Sequence, residues 1–325
     1  MNILSRWSSV ALTVAAVVVI AILTTVLPGF RLSLGTQLFA YIIICLSANL
    51  LFGYADEIVL AQAAIVGFGS YGFAVAVNAG APLVMAALVA IALSSVGSVL
   101  LAFPALRLQG LFLAIITLAF QFAFSGIAEG WRAVTGGLNG IAVNSLFTAP
   151  VPGMEAERFW FLVAGILAVL LVLALRRLVR GPFGRGLAAL RDAPEAAAAL
   201  GMRALHWKLV TFALAGGISG IGAVLLVGRT AYVSPGSYTV QQSMLITVAI
   251  IVGGVASITG SVLAAIIVVG LPELLFALGA SAELTPVIIA LTIVVCLRFL
   301  PRGIVSLPGL VGRRLRRARA KEASS

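Results

Sequence analysis

Charge is scarce in this sequence. Of its 325 residues 10% are Asp, Glu, Lys or Arg and 62% are apolar, with a mean hydropathy of +1.19. A soluble domain is about a quarter charged, so that class is excluded. Cysteine is almost absent: Cys45 and Cys296 sit inside apolar runs and read as small hydrophobes, which rules out a disulfide framework. His206 is the single histidine and has no Cys or His at ligand spacing, so no metal site is expected. No Gly-Lys dipeptide occurs, hence no Walker A motif, and the chain cannot hydrolyse ATP by the P-loop route. No Ser/His/Asp set has an activating neighbour, so a membrane enzyme would lack its catalytic cluster.

What is present is long apolar runs. Ten segments stand out, at 8–27, 35–53, 57–78, 82–104, 109–127, 158–178, 207–228, 241–256, 259–279 and 284–300. Runs of about twenty apolar residues match a bilayer-spanning helix. They are continuous rather than alternating, which argues against a β-barrel. The expected fold is an all-α polytopic membrane protein of about eight to ten transmembrane helices, some broken or re-entrant. The first run, Val10 to Leu27, is long for a signal peptide and lacks a small-x-small site before Pro28, so it reads as an uncleaved span.

The net charge is +11, but the basic residues lie at the ends of apolar runs and in the tail. With both termini cytoplasmic, 17 of the 21 Lys and Arg fall inside, leaving Arg31, Arg132, Arg158 and Arg229 outside. That is the positive-inside pattern of a membrane protein, not a nucleic-acid footprint. The tail run Arg313-Arg314-Leu315-Arg316-Arg317 reads as a stop-transfer and lipid-surface anchor.

Two breaks interrupt the apolar pattern. At Phe52-Gly53-Tyr54-Ala55-Asp56-Glu57 two acids enter an apolar context, which is costly unless they face water or partners. Beyond it, Gly67 follows Ala63 by four and Gly69 follows Ile65 by four, a small-xxx-small face. The segment reads either as a broken helix lining a path or as plain helix packing. Gly253-Gly254-Val255-Ala256-Ser257-Ile258-Thr259-Gly260 breaks the 241–279 region in the same way. Aligning 53–69 with 254–270 gives six identities in seventeen positions, a hint of a duplicated half. An ion-coupled carrier needs ionisable groups at mid-membrane depth, and Glu273 with the Asp56/Glu57 pair are the acids near apolar segments; Glu273 reads as a helix-end charge.

The longest outer loop runs from Ala128 to Glu157 and carries Trp131 and Thr135-Gly136-Gly137-Leu138-Asn139-Gly140. Three glycines in five residues permit a tight turn back towards the membrane. No Gly-Lys-Ser/Thr follows, so it is no phosphate cradle. A docking loop, with Trp131, Gly136, Gly137 and Asn139 as its contact residues, and an ordinary connection are both open readings.

The cytoplasmic stretch 176–208 holds seven of the 21 basic residues. Within it Asp192-Ala193-Pro194-Glu195 predicts a helix start, with Asp192 as cap and Glu195 completing a capping box. Pro194 is tolerated in a first turn, Ala196 to Ala199 favour helix, and Gly201 supplies a left-handed stop. The predicted helix, 193–200, is too short to be stable alone, and its alanine face suits a groove on another protein.

The spacing Glu195-Ala196-Ala197, three residues, Gly201 resembles the coupling loop of permease subunits of bacterial ABC importers. The run Gly184 to Ala197 is similar to the branched-chain amino acid permease family, LivM type. So are Ser47 to Tyr54, Leu106 to Phe120, Thr135 to Gly140, Tyr232 to Pro235, Val252 to Gly254 and Phe299 to Ile304, in order across about residues 35 to 307.

The resemblance implies a membrane subunit that imports branched-chain or related amino acids and uses no cofactor itself, ATP being consumed by a partner. It implies a second, homologous permease subunit, two cytoplasmic ATPase subunits and an extracytoplasmic solute-binding protein, in the bacterial inner membrane. The ATPase contact falls on Arg185, Arg191, Asp192, Glu195, Ala196, Ala197 and Gly201, and the path on Asn49, Gln62, Gly67, Gly69, Thr117, Gly253 and Gly254. The expected organisation is an N-terminal segment (1–34), a permease domain (35–307) with a coupling loop at 180–207, and a basic tail (308–325). One departure stands out: where the family has Gly-His, this chain has Ala61-Gln62, and Asp56-Glu57 replaces a neutral pair. That leaves urea, short amides or another small solute as the alternative cargo, and an ion-coupled carrier as the rival mechanism.

Overall fold

The computed structural model describes residues 18–108, 110–143, 154–279 and 303–306, together with 281, 284, 287, 288, 291 and 298. The tail, Cys296 and most of the 284–300 segment lie outside the described residues, as does the first half of the 8–27 run. Residues 18–26 are helical (α1). Then follow α2 (Gly29–Asn49) with a π-helical turn at Leu50–Tyr54, α3 (Gln62–Asn78), α4 (Leu83–Ala105), α5 (Leu111–Gly130) and the short α6 (Arg132–Thr135). The second part comprises α7 (Ala156–Arg180), α8 (Pro182–Asp192), α9 (Pro194–Ala199), α10 (Ala204–Thr230), α11 (Val240–Gly253), α12 (Ile258–Ala265), a π turn at Ile266–Gly270 and α13 (Leu271–Ala277). One antiparallel pair joins β1 (Ile141–Ala142) to β2 (Tyr232–Val233), with Ile141 opposite Val233.

Among the described residues six helices are long and apolar enough to cross a membrane. They are α2 with its π turn, α4, α5, α7, α10 and the Ile258–Ala277 helix. The 57–78 and 241–256 segments form α3 and α11, of 17 and 14 residues. At 1.5 Å per residue these reach about 26 and 21 Å, short of a hydrocarbon core of about 30 Å. The fold is therefore the all-α, polytopic one with broken helices that the apolar pattern predicts.

The core forms around α10, which packs on α4, α2 and α3. The approach to α4 is close because Gly216 and Gly220 lie four apart on one face. A Cβ on Gly220 would sit 2.7 Å from Ile91 Cα, and one on Gly216 would sit 2.7 Å from Ser95 Cα. The small-xxx-small face of α3 is likewise filled. A Cβ on Gly67 would lie 2.6 Å from a Phe124 ring carbon, and one on Gly69 would lie 3.0 Å from Ala223 Cβ.

The two breaks do not share one register. The first has its π turn before the break, at Leu50–Tyr54; the second has it after, at Ile266–Gly270. Each break does hold a non-glycine residue in the left-handed region, Asp56 at φ 59° and Ala256 at φ 54°. Such backbone is uncommon for residues with a Cβ and marks constrained turns.

Candidate functional site

The first turn of a helix has N–H groups with no intrahelical acceptor. In α3 that turn is buried, and neighbouring helices supply the missing acceptors. In the first turn Ala63 N–H donates to Ser243 Oγ and Ala64 N–H to Gln121 Oε1, both at 2.8 Å, and just before the helix Leu60 N–H donates to Thr117 Oγ1 at 3.0 Å. Ser243 Oγ also donates to Gln121 Oε1, whose Nε2 donates to the Tyr238 carbonyl at 2.7 Å. Gln62 Nε2 donates to Ser219 Oγ, which donates to Ser47 Oγ, which donates to the Ala215 carbonyl. A broken helix start is thus held inside the bundle by side chains of α2, α5, α10 and α11.

Asn49 does the corresponding work at the second break. Its Nδ2 donates to the Ser257 carbonyl and Ser261 Oγ, both at 2.8 Å, and its Oδ1 accepts from Ala256 N–H at 3.0 Å. Gly53 lies against Ala256, with no room for a Cβ. Gly253 faces Ala264 N, Gly254 adopts φ 133°, and Gly303 approaches Gly254 Cα. Of the seven residues assigned to the path, Asn49, Gln62 and Thr117 are thus engaged in hydrogen bonds at the two breaks. Gly67 and Gly69 are packing contacts, and Gly253 and Gly254 form the second break itself.

The 176–208 stretch differs from its sequence reading in three ways. A longer helix, α8, precedes the predicted one. It starts with Pro182 at N1 and buries Gly184 and Leu187, and Phe183 meets the Trp207 ring at a centroid distance of 5.4 Å. The predicted 193–200 helix is α9, Pro194–Ala199, six residues long. Asp192 is not its cap: it ends α8, Ala193 occupies the N-cap, and no side chain caps α9. Asp192 instead accepts from Arg191 Nε at 2.8 Å, and this partner holds its carboxyl below the ordinary carboxylate value. Gly201 does stop the helix, at φ 83°. Met202 N–H bonds the Ala197 carbonyl and Gly201 N–H the Ala198 carbonyl, the paired bonds of a Schellman end. On α9 only Ala197 is buried, leaving Glu195, Ala196 and Leu200 exposed, and Arg185 of α8 is also exposed.

Two side chains tie this stretch to the first break. Arg191 Nη1 donates to the Gly53 carbonyl at 3.2 Å. Lys208 Nζ pairs with Glu57 Oε1 at 2.6 Å and also reaches the Ala105 carbonyl. Glu57 is 4% exposed, a setting in which a carboxylate needs a partner. Burial pushes its carboxyl up, and the Lys208 hydrogen bond and charge pull it back down.

At the other end, the glycine turn is ordered by its own backbone. Gly136, Gly137 and Gly140 have φ of 72°, 63° and 67°, a conformation that suits glycine. Thr135 Oγ1 donates to the Ala128 and Trp131 carbonyls, and Tyr232 Oη donates to the Asn139 carbonyl. The β1–β2 pair then fastens the loop to the end of α10. Trp131, Asn139 and Leu138 remain exposed.

Gln121, Ser243, Tyr41, Gln242 and Arg229 escaped sequence reasoning. Gln121 lies four residues after Thr117 and so shares its helix face, a signal that was available. Arg229 reads as one outer charge among four, yet it lines two cavities, of about 100 and 300 Å³.

Fold and site together define a multi-pass helical membrane protein whose interior is built on broken helices. Residues 30–297 match the family of branched-chain amino acid transport system permease components, and the chain belongs to that family. It is 29% identical over 270 residues to the high-affinity branched-chain amino acid transport system permease protein LivM of Salmonella typhimurium. It is 30% identical over 270 residues to the protein of that name from Escherichia coli K12. Each match covers 74% of this chain and 63% of the relative, so the chain spans less than two thirds of the curated relatives' length. No solved structure matches.

Proposed function

We propose that the chain is the membrane subunit of an ABC importer for branched-chain or related amino acids. A separate ATPase drives it through α8 and α9, with Arg185, Arg191, Asp192, Glu195, Ala196, Ala197 and Gly201 at the contact. The observation that carries this reading is the double tie from the cytoplasmic stretch to the first break, Arg191 to Gly53 and Lys208 to Glu57. A push on α8 and α9 would then reach the broken helices directly, as a rigid-body switch requires.

Family membership supports the remaining assignments of this proposal. A second permease subunit pairs with this one, and two ATPase subunits dock on the cytoplasmic face. An extracytoplasmic binding protein docks on the outer loop at Trp131, Gly136, Gly137 and Asn139. Both termini face the cytoplasm, and the chain sits in a bacterial inner membrane. ATP is used by the partner, and this chain holds no cofactor. The test is co-reconstitution. ATP-dependent uptake of labelled leucine is expected only when permease and ATPase subunits share the vesicle. Uptake by this chain alone, driven by an ion gradient, would overturn the assignment in favour of a secondary carrier.

A further inference from the structure

The larger cavity lies where α2, α3, α10 and α11 meet, beside the outer end of α10. Its volume, about 300 Å³, falls at the small end of the range for small-molecule sites, roughly 300–1,000 Å³. Among the described residues lining it, Arg229 alone is charged. Arg229 is in none of the ion pairs among the described residues. One guanidinium nitrogen donates to Ser33 Oγ at 3.1 Å, while Nε is buried and has no partner. A half-buried cation at the end of a spanning helix, with no ion pair among the described residues, is costly and marks a functional position.

The same cavity is lined by Tyr41 and Gln242, with Gln242 Nε2 donating to Tyr41 Oη at 2.7 Å. Accepting that bond leaves the phenol hydrogen free to donate. Aliphatic side chains, Ile44, Val66 and Ile246, line it too. Among the described residues the lining therefore offers one cation and neutral donors for an anionic group, apolar surface for a short tail, and no acidic side chain for an ammonium.

We infer that this cavity is a solute site of the pathway that recognises a small aliphatic carboxylate, its anionic group on Arg229 with Tyr41 and Gln242 beside it. The inference rests on the amino acid importer reading and deepens it: the carboxylate is read by charge, and the ammonium is not. Arg229 is the anchoring residue because its planar donors match a carboxylate.

The test uses the full chain in lipid nanodiscs with tritiated L-leucine, and 4-methylpentanoate (leucine without its amine) or L-leucinamide as competitor. We expect 4-methylpentanoate to displace leucine and leucinamide to fail at tenfold higher concentration. Arg229→Gln should weaken leucine binding by about tenfold or more, the scale of a lost charged hydrogen bond, and Arg229→Lys by less. Leucine binding that survives Arg229→Gln unchanged, or displacement by leucinamide as readily as by 4-methylpentanoate, removes the site and leaves the importer reading standing. Labelled 4-methylpentanoate bound through Arg229 with no leucine bound keeps the site and removes the amino acid reading. If the unmodified chain binds neither, the inference falls. Should Arg229→Gln fail to fold, competitor selectivity in the unmodified chain decides, together with Tyr41→Phe, which keeps the ring and should weaken binding several-fold.

Discussion

At the scale of single residues, Glu57–Lys208 is the most buried ion pair among the described residues. Glu57 is buried and its carboxyl is pushed up by that burial, with Lys208 as the counterweight. The sign follows from linkage: a carboxyl raised in the folded state favours folding at low pH, and that contribution is lost as pH climbs through the raised value. Removing Lys208 raises it further. Lys208→Met should therefore destabilise the fold by about 3 kcal/mol at pH 8 and by clearly less at pH 5. Thermal unfolding of the detergent-solubilised chain at the two pH values checks this, and adding Glu57→Gln should recover most of the loss. The sequence showed that Asp56 and Glu57 demanded water or partners. The structure divides the roles: Asp56 is exposed, and Glu57 finds a lysine 151 positions later. That pairing depends on how α10 packs, which no local pattern reveals.

At the scale of elements, helix existence was legible and helix detail was not. Continuous apolar runs give α2, α4, α5, α7 and α10 almost directly, because spanning a bilayer demands length and apolarity together. Helix α8 was missed because Gly184 and Gly186 lower its intrinsic propensity. Its stability comes from Phe183 and Gly186 packing on Trp207 across the stretch. The α9 stop was legible because Gly201 needs no tertiary partner, whereas the capping role of Asp192 was lost to Arg191 next door. Gly220→Val forces a branched side chain into Ile91 of α4, an overpacking of about 1–3 kcal/mol or more. It should reduce the monodisperse peak in size-exclusion chromatography, while Gly126→Val, at a glycine with open space around it, should not. Glu195→Lys reverses the favourable charge at the start of α9, and Gly201→Val places a branched residue at φ 83°. Each should lower copurification of the ATPase subunits at least several-fold without changing the size-exclusion profile of the chain alone. Unchanged copurification by both would remove the coupling assignment.

At the scale of the whole molecule, the 176–208 stretch, the first break and the second break form one connected chain of contacts. Arg191 holds Gly53, Gly53 lies on Ala256, and Asn49 holds Ala256, Ser257 and Ser261. The first break was visible as two acids following Gly53 and the second as a Gly-rich interruption, and their resemblance to one another was visible too. Their mutual contact was not, because it depends on which helices become neighbours. Arg191→Gln cuts the first link without touching the second. In the assembled complex, uptake per ATP hydrolysed should fall by about fivefold, the scale of one partly exposed charged hydrogen bond, with ATP hydrolysis itself preserved.

The buried start of α3 has a consequence for how any opening must proceed. The acceptors for Ala63 and Ala64 N–H belong to α11 and α5, not to α3. Parting those helices from α3 strips two peptide donors of their only shelter, and something must take the acceptors' place at once. Water is the cheapest replacement. Hydration of this one turn should therefore accompany the first motion that opens the interior, and its amide protons should exchange with solvent in step with transport rather than with global unfolding.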